Sequence, residues 1–172
     1  MTTSAEDLLE RVKRLLGGDV LDHHTQCGDV TVLVPLERAR DCLRLLKVDA
    51  ELAFNFLIDV TAVDYLGREP RFELVYHLAS IAVVPLADQP THLRHRLRVK
   101  TAVPETPCEA DSICALWDAA NWMEREVFDL YGIRFREHPD LRRILLYDEF
   151  KGHPLRKDYP KERRQPLVGP RN

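Results

Sequence analysis

Residues 134 to 172 contain five of the chain's eleven prolines, at 139, 154, 160, 166 and 170. Proline has no amide proton and a fixed φ, which excludes it from helix interiors and central strands, so this stretch must run as an extended arm. It also carries Leu141, Ile144, Leu145, Leu146, Tyr147, Phe150, Leu155 and Tyr159, more apolar content than a solvated disordered segment usually has. It cannot form a core by itself and needs a surface to bury against. Directly before it, Asn121 to Ile133 reads as part of a strongly amphipathic helix. A helix followed by such an arm is built to lie against something else, which points to one member of an assembly rather than a freestanding enzyme.

The rest of the chain bounds the fold. At 172 residues with 45% hydrophobic content, one domain with a single core is expected over residues 1–133, with residues 134–172 as a docking tail. The longest weakly polar run, Leu78 to Ala87, falls well short of the roughly 20 apolar residues that span a bilayer. The amino terminus shows no basic and apolar signal pattern, so a cytoplasmic location is expected. Cysteines at 27, 42, 108 and 114 match neither zinc-ribbon nor iron–sulfur spacing and read as buried free thiols. The net charge of −3 hides an asymmetry: residues 134 to 172 hold eleven Lys and Arg against six Asp and Glu, net +5, which leaves −8 for residues 1 to 133. The tail is a candidate electrostatic clamp for an acidic surface.

Ser4 and Asp7 form a capping-box pattern, and Leu8, Leu9, Val12, Leu15 and Leu16 recur at helical spacing until Gly17-Gly18. Val20 to Gln26 and Asp29 to Val34 read as a hairpin, and Leu36, Ala39, Leu43 and Leu46 as one face of a second helix. Three strands follow, over Phe54 to Tyr65, Arg71 to Ala82 and His92 to Val103. In the last, Leu93, Leu97, Val99 and Val103 share one side, and Arg94, Arg96, Arg98 and Lys100 the other. Asp111 or Ser112 is placed to cap a third helix with an apolar stripe from Ile113 through Trp117 and Val127 to Tyr131, ended by Gly132. The expected fold is α+β, in the order α-β-β-α-β-β-β-α: a two-layer sandwich with helices on one face of a mixed sheet of about five strands, then the extended tail.

No phosphate loop, dinucleotide fingerprint, nucleophile elbow or zinc-protease motif occurs, and neither catalytic nor cofactor or metal residues are expected. His138-Pro139 and His153-Pro154 recur fifteen residues apart; two imidazoles can bind metal or relay protons, but their proline-rich, charged setting suits a docking segment better. Glu124, Arg125, Glu126 and Asp129 read either as an ion-paired solvent face, with Arg125 reaching Asp129 at i, i+4, or as anchors for the tail's arginines or a partner; anchoring is the reading taken. The expected interface residues are these four with His138, Arg142, Arg143, His153, Arg156, Lys157, Asp158 and Tyr159. A nucleic-acid-binding module using the basic strand and tail is the alternative of another class, against which the few interleaved aromatics and the acidic balance count.

Several long stretches carry a family resemblance: Thr61-Ala62-Val63-Asp64-Tyr65, Arg71-Phe72-Glu73-Leu74-Val75-Tyr76-His77-Leu78, and Leu116-Trp117 through Asn121-Trp122 to Glu124-Arg125-Glu126, Asp129 and Gly132-Ile133. It continues through His138-Pro139-Asp140-Leu141-Arg142-Arg143-Ile144-Leu145 and Gly152-His153-Pro154-Leu155-Arg156-Lys157-Asp158-Tyr159-Pro160. In these the chain closely resembles the C subunit, or thirty-kilodalton subunit family, of the proton-translocating NADH–quinone oxidoreductase, respiratory complex I. The resemblance implies a scaffold in the peripheral arm on the cytoplasmic side of a bacterial inner membrane, without flavin or cluster of its own. It also implies a tail packed along the large D subunit, which helps form the quinone site beside the cluster-bearing B subunit; FMN and iron–sulfur clusters in partner subunits carry electrons from NADH to quinone, coupled to proton pumping. The equivalent subunit of a related membrane-bound nickel–iron hydrogenase or ferredoxin-linked complex is the close alternative. Glu137 stands where many relatives have glycine, so a different local turn is expected there, and the chain resembles the separate form rather than the form fused to the large D subunit.

Overall fold

A computed structural model describes residues 4–82, 92–160, 162 and 165. The elements are α1 (Ala5–Leu16), β1 (Asp22–His24), β2 (Val30–Val34), α2 (Ala39–Val48), β3 (Phe56–Asp64), β4 (Phe72–Ala82), β5 (His92–Val103), β6 (Glu109–Asp111), α3 (Ala120–Tyr131) and β7 (Arg134–Arg136). The tail residues 161, 163–164 and 166–172, and the part of the weakly polar run beyond Ala82, lie outside the described residues.

Five strands form one mixed sheet in the order β1-β2-β5-β4-β3. β4 pairs antiparallel with β5, from Phe72 opposite Val103 to Ala82 opposite His92, and with β3 on its other side. β2 joins β5 in parallel, a pairing that requires a crossover connection, here made by α2 followed by β3 and β4. Side-chain alternation puts Phe72, Leu74, Tyr76 and Leu78 on one face, and all four are buried. With Leu97, Val99, Val103 and the inner residues of β2 and β3 they make one apolar cluster, covered by α1, α2 and α3. Each fully buried large side chain there contributes roughly 1.5–3 kcal/mol of transfer free energy. This is the two-layer α+β arrangement expected from the sequence.

The helix ends follow local chemistry. The Ser4 hydroxyl accepts from the Asp7 amide at 3.1 Å and so starts α1. Gly132, with φ 80° and ψ 14°, takes the left-handed position after α3, its amide donating to Phe128 O. Such a φ costs an L-residue with a Cβ but not glycine.

Several expectations need correction. The first hairpin strand is reduced to Asp22–His24, because a 3-10 turn occupies Gln26–Gly28 with Cys27 at φ 57°. That turn leaves the Cys27 thiol exposed, where burial was expected of all four cysteines. The third helix begins at Ala120 and not at Asp111 or Ser112: Glu109–Asp111 is drawn into β6, which pairs in parallel with β7. The Ser112 hydroxyl and Ile113 amide, which would start a helix there, are both bound by the Glu124 carboxylate, and Ile113, Leu116 and Trp117 pack from turns ahead of α3. Leu93, expected in the core, is 55% exposed, beyond an irregularity in the β4–β5 register between Ser80 and Ile81. On β5, Lys100 lies 2.8 Å from Glu73 and Arg98 3.6 Å from Asp29, so part of the expected basic stripe is ion-paired.

Candidate functional site

The charge pattern on α3 is an internal binding surface for the segments on either side of the helix. Glu124 is fully buried. Its Oε1 accepts from the Ile113 amide at 2.7 Å, and its Oε2 accepts from the Ser112 hydroxyl at 2.7 Å and from the Cys114 thiol at 3.4 Å. Burial raises its pKa above the ordinary carboxylate value, against the opposing pull of the Ile113 amide and Ser112 hydroxyl. Glu124 thus ties the loop before α3 to the helix.

Asp129 does the same for the tail. Its Oδ2 accepts the successive amides of Ile144, Leu145 and Leu146 at 3.1, 2.9 and 2.9 Å, and its Oδ1 faces Arg143 Nη1 at 2.6 Å. Burial pushes this carboxyl up, but the amides and the Arg143 guanidinium outweigh it and the pKa is lowered. Arg125 is turned away from Asp129: its guanidinium donates to Arg142 O and Arg143 O, both at 3.1 Å, and lies 5.3 Å over the Trp122 ring. The expected Arg125–Asp129 pair along the helix is replaced by two contacts to the tail, and of the four charges on α3 only Glu126 is exposed. Arg125 and Asp129 anchor the tail, Glu124 anchors the loop ahead of the helix, and Glu126 faces solvent.

A second clamp lies at the end of the sheet. The Arg71 guanidinium is buried and bonds to both oxygens of Asp64, at 2.9 and 2.8 Å, to Glu105 at 2.6 Å and to Asp158 at 3.0 and 2.8 Å. Asp64 also accepts the Lys157 amide at 2.8 Å, and Arg156 reaches Glu105 at 2.7 Å. The Arg71 hydrogen bonds hold Asp64 below its ordinary pKa and bring Asp158 to about 2. Tyr159 stacks on Phe150 with ring centroids 6.1 Å apart.

The site residues expected from sequence are therefore grouped, but around two internal clamps. Glu124, Arg125, Asp129, His138, Arg143 and His153 surround α3; Arg156, Lys157 and Asp158 surround Arg71; Arg142 is exposed and its side chain pairs, among the described residues, with Asp140 alone, at 2.8 Å. Arg71, Asp64 and Glu105 were not among those expected. Asp64 and Arg71 sit at facing ends of β3 and β4 across the Gly67 turn, and only the strand register brings them together.

Cys114, Glu124 and His138 place ligand-type atoms within 4.8 Å of one another. Their lone pairs are already committed. His138 Nδ1 accepts the Asp140 amide at 3.0 Å, so Nε2 carries the proton and lies 3.2 Å from Asn121 O. A metal at Nε2 would need the opposite tautomer. Burial raises the Cys114 thiol to about 11, far from the thiolate a metal binds. His153 Nδ1 likewise lies 2.9 Å from Asp129 O, and burial lowers its pKa, which keeps the imidazole neutral. The arrangement provides static hydrogen bonding. No helix among the described residues is long and apolar enough to cross a membrane.

Residues 32–165 match a family model described as respiratory-chain NADH dehydrogenase, 30 Kd subunit. The chain is 48% identical over 151 residues to the C subunit of the NADH-quinone oxidoreductase of Geobacter sulfurreducens, covering 87% of this chain and 86% of that protein. It is 45% identical over 153 residues to its counterpart in Roseiflexus sp., covering 89% and 82%. Among solved structures, a trypsin-resistant fragment of Nqo5 superposes with a TM-score of 0.64 at 33% identity, over 79% of this chain and 98% of the fragment. A chain of the archaeal membrane-bound sulfane sulfur reductase, a respiratory membrane complex, superposes at 0.72 over 91% of this chain and 86% of its own, with 24% identity, a likeness of fold alone. With α3 and most of its clamped tail inside the matched range, the chain belongs to the 30-kDa subunit family of the respiratory NADH-quinone oxidoreductase.

Proposed function

We propose that the chain is a non-catalytic structural subunit of the peripheral arm of an NADH-quinone oxidoreductase, held on the cytoplasmic side of the membrane by its partners. In this reading FMN and iron–sulfur clusters in other subunits carry electrons from NADH to quinone, and the α3–tail side of this chain packs on the large quinone-site D subunit, near the cluster-bearing B subunit. The observation that carries the reading is how the polar groups of α3 and the tail are used: Glu124, Asp129, His138 and His153 are each held by backbone partners, as a rigid shaped surface requires and a catalytic acid or base does not. A tagged chain recovered from gently solubilised membranes tests it. Co-purification with FMN, iron and NADH-driven quinone reduction is the expected result. Nickel in place of FMN would move the chain to a hydrogenase-type assembly, and recovery of a lone chain expressed at native level would overturn the assembly reading.

A further inference from the structure

The cations expected to bind a partner are largely spent inside the chain. Arg143 is paired with Asp129, and Arg156 with Glu105 and Asp158. Large apolar side chains of α3 and the tail are also left to solvent: Trp122 is 63% exposed, Leu145 61% and Leu155 49%. These are not loose side chains. Trp122 stands on the first turn of α3 under the Arg125 guanidinium. The Leu145 amide is fixed to Asp129 Oδ2, and the Leu155 amide to Leu130 O at 3.1 Å. Backbone ordering has been completed while the apolar side chains remain in water, the condition of a preorganised binding surface.

We propose that Trp122, Leu145 and Leu155 are the anchors of a docking strip for an apolar, carboxylate-rimmed surface on another protein of the assembly. This rests on the assembly reading above and names the chemistry of its contact. The carboxylate rim follows from charge. Lys151 and Lys157, on either side of Leu155, are exposed and carry no ion pair among the described residues, and Lys161, Arg163 and Arg164 follow in the sequence against the single acid Glu162. Complementarity is confined to the lysines flanking Leu155, since Glu126 and, between Leu145 and Lys151, Asp148 and Glu149 are exposed. Rigid aromatic and aliphatic anchors supply most of the binding free energy at such contacts, and the charged rim supplies orientation and salt sensitivity. The same basic rim on a second copy of this chain would repel it.

Two variants of the full chain test this beside the wild type: Trp122→Ser/Leu145→Ser/Leu155→Ser and Lys151→Glu/Lys157→Glu, each tagged and recovered from gently solubilised membranes over a range of salt. All the altered side chains are exposed, so the purified free chains should keep the wild-type circular dichroism and unfolding curve. The triple variant is expected to lose at least about tenfold in recovered FMN, iron and NADH-driven quinone reduction at every salt concentration. The lysine variant should lose recovery mainly at low salt and show a flatter salt dependence. A wild-type chain that brings down the assembly beside an equally competent triple variant overturns the strip alone. A wild type that brings down no partner protein overturns the assembly reading and the strip together. Concentration-dependent dimers of the free chain, or binding to vesicles containing anionic phospholipid, abolished in the triple variant, would hand the strip to a second copy or to a lipid surface and overturn the proposed occupant.

Discussion

Asp129 Oδ1 and Arg143 Nη1 lie 2.6 Å apart, and the other oxygen of the same carboxylate collects three consecutive amides of the tail. One side chain on the last turns of α3 thereby satisfies a stretch of backbone that has neither helix nor strand to satisfy it. A proline-broken segment obtains a defined path because a buried anion on a neighbouring element substitutes for the missing secondary structure.

Asp129→Asn keeps the shape and one acceptor oxygen but leaves Arg143 facing a neutral group. Removal of one partner of a buried ion pair costs about 3 kcal/mol or more. Urea unfolding of the free chain should show a loss of that order, and amide exchange should quicken first at Ile144, Leu145 and Leu146. Unchanged protection at those three amides would show that the tail does not depend on this carboxylate.

The acid side of the pH profile depends on the Arg71 clamp. Asp64 and Asp158 have folded pKa values below the ordinary carboxylate value of about 4, so their contribution is present above that value and lost as pH falls through the folded pKa, towards 2 for Asp158. Glu124 runs the other way. Its folded pKa is raised, so its contribution is full below the ordinary carboxylate value and declines as pH rises through the folded one. Pulsed hydrogen exchange between pH 5 and 2 should show residues 153–160 opening before the sheet, an order lost in Asp158→Asn. Glu124→Gln should flatten the stability profile above pH 5. An acid transition in which sheet and tail open together would refute the separate clamp.

Much of this architecture could be read from the residues. The strands from residue 54 to 103 are β-branched and apolar runs separated by turn residues, and Ser4 and Gly132 have the local chemistry of helix ends, so each was visible without tertiary contacts. The start of α3 was not. Ser112 has the right chemistry for an N-cap, but its hydroxyl is taken by Glu124 twelve residues on, and capping rules do not register such a competitor. The burial of Glu124 and Asp129 was hidden in the same way, because charge at helical spacing ordinarily means solvent. The Arg71 clamp draws on residues 64, 71, 105 and 158, which only the sheet register and the tail path bring together. The tail's need for a surface was legible, and so was an anchoring role for the charges of α3; that Asp129 would collect three backbone amides of the tail was not.

Glu137 adopts φ 62°, the left-handed region, at a place where the sequence resemblance expects glycine in many relatives. Its carboxylate lies 2.5 Å from Arg40 Nη1. The Cβ strain at such a φ is about 1–2 kcal/mol, while the pair, with Glu137 71% exposed, is worth roughly 0–1 kcal/mol. Glu137→Gly should therefore be more stable than Glu137→Ala by about 1 kcal/mol in urea unfolding, the reverse of the usual order in ordinary backbone. Alanine matching or exceeding glycine would mean that this turn carries no strain.

Gly132 couples the end of α3 to the tail more directly. A Cβ there would lie 2.7 Å from both Cδ2 and Nε2 of His153, and the residue already sits at φ 80°. Gly132→Ala thus meets two penalties: backbone strain of about 1–2 kcal/mol, and displacement of an imidazole whose Nδ1 lies 2.9 Å from Asp129 O, about 1 kcal/mol or more. Only the second depends on His153. In a His153→Ala background the alanine Cβ finds space, so the cost of Gly132→Ala should fall to the backbone part. A double-mutant cycle by urea unfolding is expected to give a coupling of about 1 kcal/mol, with the double variant more stable than the two single losses predict. Additivity within roughly 0.5 kcal/mol would show that His153 can move aside at no cost and that Gly132 is needed only to end the helix. A coupling of the expected size would make the glycine at the end of α3 part of the tail's seat, with His153 the side chain that reads its absent Cβ.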